Sequence, residues 1–283
     1  MLKSYLKTAL RSLLKNKTFS LINISGLALG TSCCLYILLY VQDQYSYDKH
    51  QKDAQNIYRV TTTAVLTGDK HNMATASPPV APALKRGFPE VEQFTRLYSS
   101  DMFGNNRNML KYKDKLLDEN GLVFVDSTFF DVLSYHFVYG RGTRDILAEP
   151  YSIVLSKPTA VKLFGNGDPV GKVITIDNNY GKHDYKVNGV VDESLGKTHV
   201  KANIFVTMRS GGFGQYLINN SQWAGNNIMC SYIKLRPGAD PVALEKKLPG
   251  FLNKYGAQDL KALCMTKALY LQPIASAHIA PGY

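Results

Sequence analysis

The sequence predicts an α+β protein that opens with a transmembrane helix and continues into one large mixed domain. Two observations carry this: a long uncharged stretch near the N-terminus, from Thr18 to Gln42, and a regular alternation of strand-like and helix-like segments after it. Neither low complexity nor a long linker interrupts that alternation, and β–α–β patterns stand at both of its ends.

In the first 17 residues, Leu2, Tyr5, Leu6, Ala9, Leu10, Leu13 and Leu14 share one helical face. Lys3, Lys7, Arg11 and Lys15 recur every fourth residue on another, and Lys17 follows. A basic amphipathic helix of this kind suits the inner leaflet, its cations near anionic lipid headgroups; the alternative is a solvated, charged lead-in.

Residues 18–42 carry no charge and are bounded by Lys17 and Asp43. At the helical rise they extend about 37 Å, enough for one tilted helix to cross the roughly 30 Å hydrocarbon core. All five early cations precede the span and no acidic residue does, which predicts a cytoplasmic N-terminus and an outer domain from residue 43 onward. A cleaved signal peptide would have an apolar region of only about 7–15 residues. A lipoprotein signal ending at Cys33 would need a large aliphatic residue where Gly30 stands, and the apolar run continues through Leu35 to Val41. Gly26, Gly30 and Cys34 form a small-residue strip along which a second helix could approach closely, and Tyr40, Tyr45 and Tyr47 bracket the outer end as an aromatic belt.

In the outer region, Ile57–Leu66 is β-branched and alternating, hence a strand. Ser77-Pro78-Pro79 starts a helix through Leu84 and Lys85, and Val91–Tyr98 is a strand. Residues 101–121 are polar, with a turn at Gly104-Asn105-Asn106. Leu122–Val125 predicts a strand running into a helix capped near Asp126 or Ser127. Ser152–Leu155 is a strand, and Ser156-Lys157-Pro158 starts a helix reaching Phe164. Val173–Ile176 and Asp184–Val191 make a hairpin around Asn178-Asn179-Tyr180-Gly181. Last come a strand over Asn227–Leu235, a helix over Pro241–Lys254 and a strand over Leu269–Pro273.

The net charge is +11, and nearly half of it sits in the first 17 residues. No basic run beyond them exceeds two residues (Lys85-Arg86, Lys246-Lys247), so no nucleic-acid partner is expected. Cys33 and Cys34 lie in the span; Cys230 and Cys264 form no disulfide framework and are expected to be unpaired.

Several stretches resemble a known family. The opening Leu6-Lys7-Thr8-Ala9-Leu10-Arg11-Ser12-Leu13-Leu14-Lys15-Asn16-Lys17, the span Ile22-Asn23-Ile24-Ser25-Gly26-Leu27-Ala28-Leu29-Gly30 and the exit Tyr40–Lys49 resemble the start of MacB-like, FtsX-type ABC transporter permeases of the Bacteroidetes type. Ser77–Leu84, Phe88–Glu92, Phe124–Val132, Ile153–Ser156 and Lys162–Lys172 resemble, in order, the MacB-like periplasmic core domain. The resemblance implies a two-lobed periplasmic domain, with a porter-like β–α–β lobe from about residues 50–100 plus 200–275 and an inserted α/β lobe from about 101–199. It implies an inner-membrane permease that pairs with a second permease copy or half, recruits a cytoplasmic ABC ATPase and turns ATP hydrolysis into movement of the periplasmic domain. It also admits a periplasmic or outer-membrane partner. Family members continue into further membrane helices, and Leu271–Ile279 resembles their lead-in to the next one, so the chain is expected to be the N-terminal part of a permease.

No catalytic, cofactor or metal residues are expected. The stretch Gly167-Asp168-Pro169-Val170-Gly171-Lys172-Val173 has the wrong glycine spacing for a phosphate loop and valine where Ser or Thr would hold magnesium. Its six histidines are scattered, and no Gly-x-Ser-x-Gly elbow occurs. The competing readings are a membrane-anchored extracytoplasmic hydrolase, which needs titratable groups clustered in a cleft, and a single-span sensory or adhesive module.

Overall fold

A computed structural model describes residues 5, 11, 13, 15–104, 107–142, 145–192 and 194–279, apart from the side chain of residue 103. Chain contacts divide it into two units, Met1–Ser46 and Tyr47–Tyr283. The first is dominated by α1, Lys17–Gln44, a 28-residue helix long and apolar enough to cross a membrane. Among its residues only Ser20 is buried.

In the second unit the described strands form one 13-stranded sheet. In chain order they are β1 (Ile57–Leu66), β2 (Asp69–Met73), β3 (Val91–Ser99), β4 (Asn108–Tyr112), β5 (Lys115–Glu119), β6 (Leu122–Val125), β7 (His136–Tyr139), β8 (Ser152–Ser156), β9 (Val173–Asn178), β10 (Gly181–Asp192), β11 (Ile204–Thr207), β12 (Cys230–Leu235) and β13 (Met265–Pro273). The spatial order is β13-β1-β12-β3-β6-β11-β8-β10-β9-β4-β5, with β2 on β1 and β7 on β10. Most pairs are antiparallel, but β6 runs parallel to β11 and β8 parallel to β10. The helices are α2 (Val80–Gly87), α3 (Phe129–Val132), α4 (Lys157–Phe164), α5 (Gly211–Asn219), α6 (Pro241–Glu245) and α7 (Leu248–Ala262). This is the α+β class expected: among the described residues, one N-terminal apolar helix is followed by a sheet-rich domain.

Side-chain alternation explains why the central strands are uniformly buried. Leu122 and Phe124 of β6, Ile153 and Leu155 of β8 and Ile204 and Val206 of β11 pack into one core. Their neighbours Val123, Val125, Val154 and Phe205 point through the opposite face into a second core with Phe129 of α3. A third core joins Val60, Leu84 and Val91 to Ile233, Leu248, Phe251 and Leu269 across α2, α7 and the strands they cover.

Several expectations need correction. The polar stretch 101–121 contains the β4–β5 hairpin. The helix after β6 begins at Phe129 without a side-chain cap; Asp126 is instead held by Arg96, with both guanidinium contacts at 2.9 Å, and Arg96 also donates to the Pro78 carbonyl. β12 starts at Cys230 rather than Asn227, and β13 already at Met265. The helix expected over Pro241–Lys254 is two, α6 and α7, separated at Lys246-Lys247. Strands β2, β7 and β11 and helix α5 lie where the sequence pattern predicts no element.

Candidate coupling site

The residues singled out for membrane work lie in the first unit. Gly26 and Gly30 sit on α1 with open space where a Cβ would be, and Cys34 is exposed one turn further on. Arg11, Lys15 and Lys17 are exposed; Lys3 and Lys7 lie outside the described residues.

The outer unit is anchored from its second residue. Asp48 adopts a left-handed backbone (φ 57°), which an aspartate tolerates better than most side chains, and is completely buried. Its amide donates to the Lys197 carbonyl at 2.8 Å. Its carboxylate accepts from the Thr198 hydroxyl at 3.1 Å, the His199 amide at 3.3 Å and His199 Nδ1 at 2.7 Å. His199 Nε2 then meets the Tyr232 hydroxyl of β12 at 2.7 Å. With Nδ1–H turned to the carboxylate, Nε2 accepts the phenol proton, so every polar atom of the chain Asp48–His199–Tyr232 has a partner. Burial pushes the Tyr232 phenol well above its ordinary value, so it remains a donor.

Other contacts fasten the same segment. Gln51 accepts from the Ser134 amide at 2.6 Å, and the Lys52 amide donates to the Ser134 hydroxyl. Asp53 takes Lys234 of β12 at 2.8 Å. Tyr47 stacks on His278 with ring centroids 3.6 Å apart and planes 7° from parallel, and Lys197 lies over the Tyr47 ring. Entry segment 47–53, loop 194–200, β12 and the segment after β13 therefore meet in one clamp.

Two buried clusters resemble catalytic sets in their residue types. Asp48–His199–Tyr232 is enclosed, with Asp48 and Tyr232 essentially without solvent contact. Lys267 Nζ lies 2.5 Å from Ser77 Oγ, but Ser77 is fully buried against the Trp223 and Gly225 carbonyls and Asn227. The glycine stretch 167–171 leads into β9, a strand, where a phosphate loop would open a helix. No group of three or more His, Cys, Asp or Glu suited to a metal occurs among the described residues. All four cysteines are free.

Comparisons fit this architecture. The profile of the MacB-like periplasmic core domain family matches residues 20–250. A domain described as that of a permease from Porphyromonas gingivalis superposes with a TM-score of 0.63 at 21% identity, covering 80% of this chain and 91% of its own. The periplasmic region of MacB from Actinobacillus actinomycetemcomitans gives a TM-score of 0.51 at 17% identity, covering 79% and 91% respectively. Among curated proteins nothing matched. At these identities the solved structures establish a shared fold.

Proposed function

Since the chain belongs to the MacB-like periplasmic core domain family, we propose that it acts in an ABC transporter permease as the part that turns ATP hydrolysis into movement of a periplasmic domain. A transporter permease role is what the family carries. In the finer reading, a separate cytoplasmic ATPase drives the entry segment, and the outer domain follows to export or extract a substrate.

The observation that supports this is the clamp on Asp48. The outer unit starts at Tyr47, and one residue later the chain is fully buried and hydrogen-bonded to loop 194–200. A displacement at residue 47 is thus passed to Lys197, His199 and Tyr232, where a flexible tether would absorb it. Charge asymmetry across the span supports an N-terminus in the cytoplasm, with Lys3, Lys7, Arg11, Lys15 and Lys17 at inner-membrane headgroups. The Gly26, Gly30 and Cys34 strip suits a second permease copy. The third core, drawn from residues 60–91 and 233–269, supports a lobe built from both ends of the outer region, with the middle as the inserted lobe.

The test is a flexible Gly/Ser insertion of about ten residues between Ser46 and Tyr47, which leaves the clamp intact. In the permease reconstituted with its ATPase, hydrolysis should persist while transport or substrate release falls at least several-fold. Unchanged transport would sink the mechanical reading.

A further inference from the structure

The clamp loop also walls a cavity. A pocket of about 730 Å3 lies where β8 runs into α4 and beside the end of β10, within the roughly 300–1,000 Å3 typical of small-molecule sites. β8 and β10 are parallel neighbours joined through α4 and β9, and the crevice beyond the carboxyl ends of such strands is where α/β folds commonly bind ligands. Its interior is apolar, with Tyr135, Val161, Val191 and Phe205 among the walls.

Two charged side chains, Lys157 and Asp192, complete the lining. Asp192 is already engaged: its Oδ1 accepts from His136 Nδ1 at 2.9 Å and from the Ser194 amide at 3.1 Å. Lys157 Nζ stands 3.9 Å from Asp192 Oδ2, longer than a charge-assisted hydrogen bond, and donates no hydrogen bond among the described residues. Its side chain is half exposed, so the ammonium can turn to a guest. The first turn of α4 adds partial positive charge: Ser156 bonds Thr159 Oγ1 and Asn203 Oδ1 and gives no side-chain cap, which leaves the amides on either side of Pro158, itself without an N–H, uncapped.

We propose that this cavity binds a small amphipathic anion, its apolar body against Tyr135, Val161 and Phe205 and its carboxylate or phosphate head on Lys157 and the first turn of α4. Ser194 and Val200 line the cavity, while Lys197, Thr198 and His199 between them hold Asp48. A guest that orders this loop therefore tightens the clamp. Only this second half rests on the coupling role proposed above.

The test uses the full chain in lipid nanodiscs with a photoactivatable aryl-diazirine carboxylate and its matched alcohol. After irradiation, peptide mapping should place the carboxylate label on segments carrying Tyr135, Val161 or residues 200–205, several-fold above the alcohol. Ala202→Trp, which fills the cavity, should lower that labelling several-fold, with Val161→Phe as a second filling variant should the first melt early. Lys157→Glu should erase the preference for the carboxylate. Labelling confined to residues 18–42, or indifferent to both filling variants, would overturn the site. Equal labelling by alcohol and carboxylate would overturn the anionic class. Hydrogen exchange at residues 194–200 should slow with the carboxylate in the parent chain and not in the filled variant; unchanged exchange despite labelling would overturn the link to the clamp. Labelling reads binding alone, so its failure is separable from failure of the linker experiment.

Discussion

Lys267 reaches inward from β13 and donates to Ser77 Oγ at 2.5 Å and to the Trp223 carbonyl and Asn227 Oδ1, both at 2.7 Å. Burial pushes its ammonium from 10.5 down to about 7. Between those values the unfolded chain holds a proton that the folded chain has released, so stability rises with pH across the window and is lowest below about 7. Thermal melts followed by the fluorescence of Trp223, the single tryptophan, should shift upward from pH 7 towards 10, and Lys267→Met should flatten that slope. A slope untouched by the substitution would assign it to other groups. Arg96 makes the opposite case, a charge satisfied by its partner: both guanidinium contacts to Asp126 are 2.9 Å and both side chains are largely buried. Arg96→Ala leaves Asp126 an uncompensated buried carboxylate and should cost about 3–5 kcal/mol in denaturant unfolding. Arg96→Met with Asp126→Leu should cost less than the sum of the single changes.

The clamp behaves as one element if its two segments answer together. Asp48→Ala removes the acceptor of the Thr198 hydroxyl, the His199 amide and His199 Nδ1 at once, each an unsatisfied donor worth about 1–3 kcal/mol. Hydrogen exchange should then rise several-fold at residues 47–52 and 194–199, with β6 and β8 unchanged; a response in only one segment would show that they are not coupled. Nothing local in the sequence announces this pairing, because Asp48 and His199 stand 151 residues apart, and the family-like stretch Tyr40–Lys49 that contains Asp48 does not point to a partner. Elements whose pattern is dictated by burial were legible: β1 over Ile57–Leu66, α2 after Ser77-Pro78-Pro79 and the β9–β10 hairpin all occur where alternation and turn chemistry put them. The missed elements obey other constraints. β5 lies at the sheet edge, where charged, exposed side chains hide the apolar alternation. β11 is four buried residues without polar alternation, since both its faces are covered. α5 opens with Gly211-Gly212 and includes Gly214, poor helix formers whose placement here is decided by packing, with Gly214 so close to the Met208 carbonyl that no Cβ fits.

The chain as a whole is divided by its charge and apolar surface into a part that suits lipid and a part that suits water. α1 exposes Leu21, Ile22, Leu27, Leu29, Leu38 and Leu39, each more than half accessible, which no water-facing helix of this length sustains without a partner or a bilayer. In the proposed topology the cations Lys3, Lys7, Arg11 and Lys15 before it and Lys17 at its first residue would hold the N-terminus on the cytoplasmic side. That topology can be tested with a native reporter, because Cys264 is a free, exposed thiol between α7 and β13, whereas Cys33 and Cys34 lie within α1. In intact cells a membrane-impermeant maleimide should modify Cys264 in a variant with Cys33, Cys34 and Cys230 replaced by serine. A Lys15→Cys thiol on a background lacking all four should react only after the inner membrane is opened. The reverse pattern would place the outer unit in the cytoplasm, on the same side as an ATPase, and would remove the basis for a periplasmic domain driven from across the membrane.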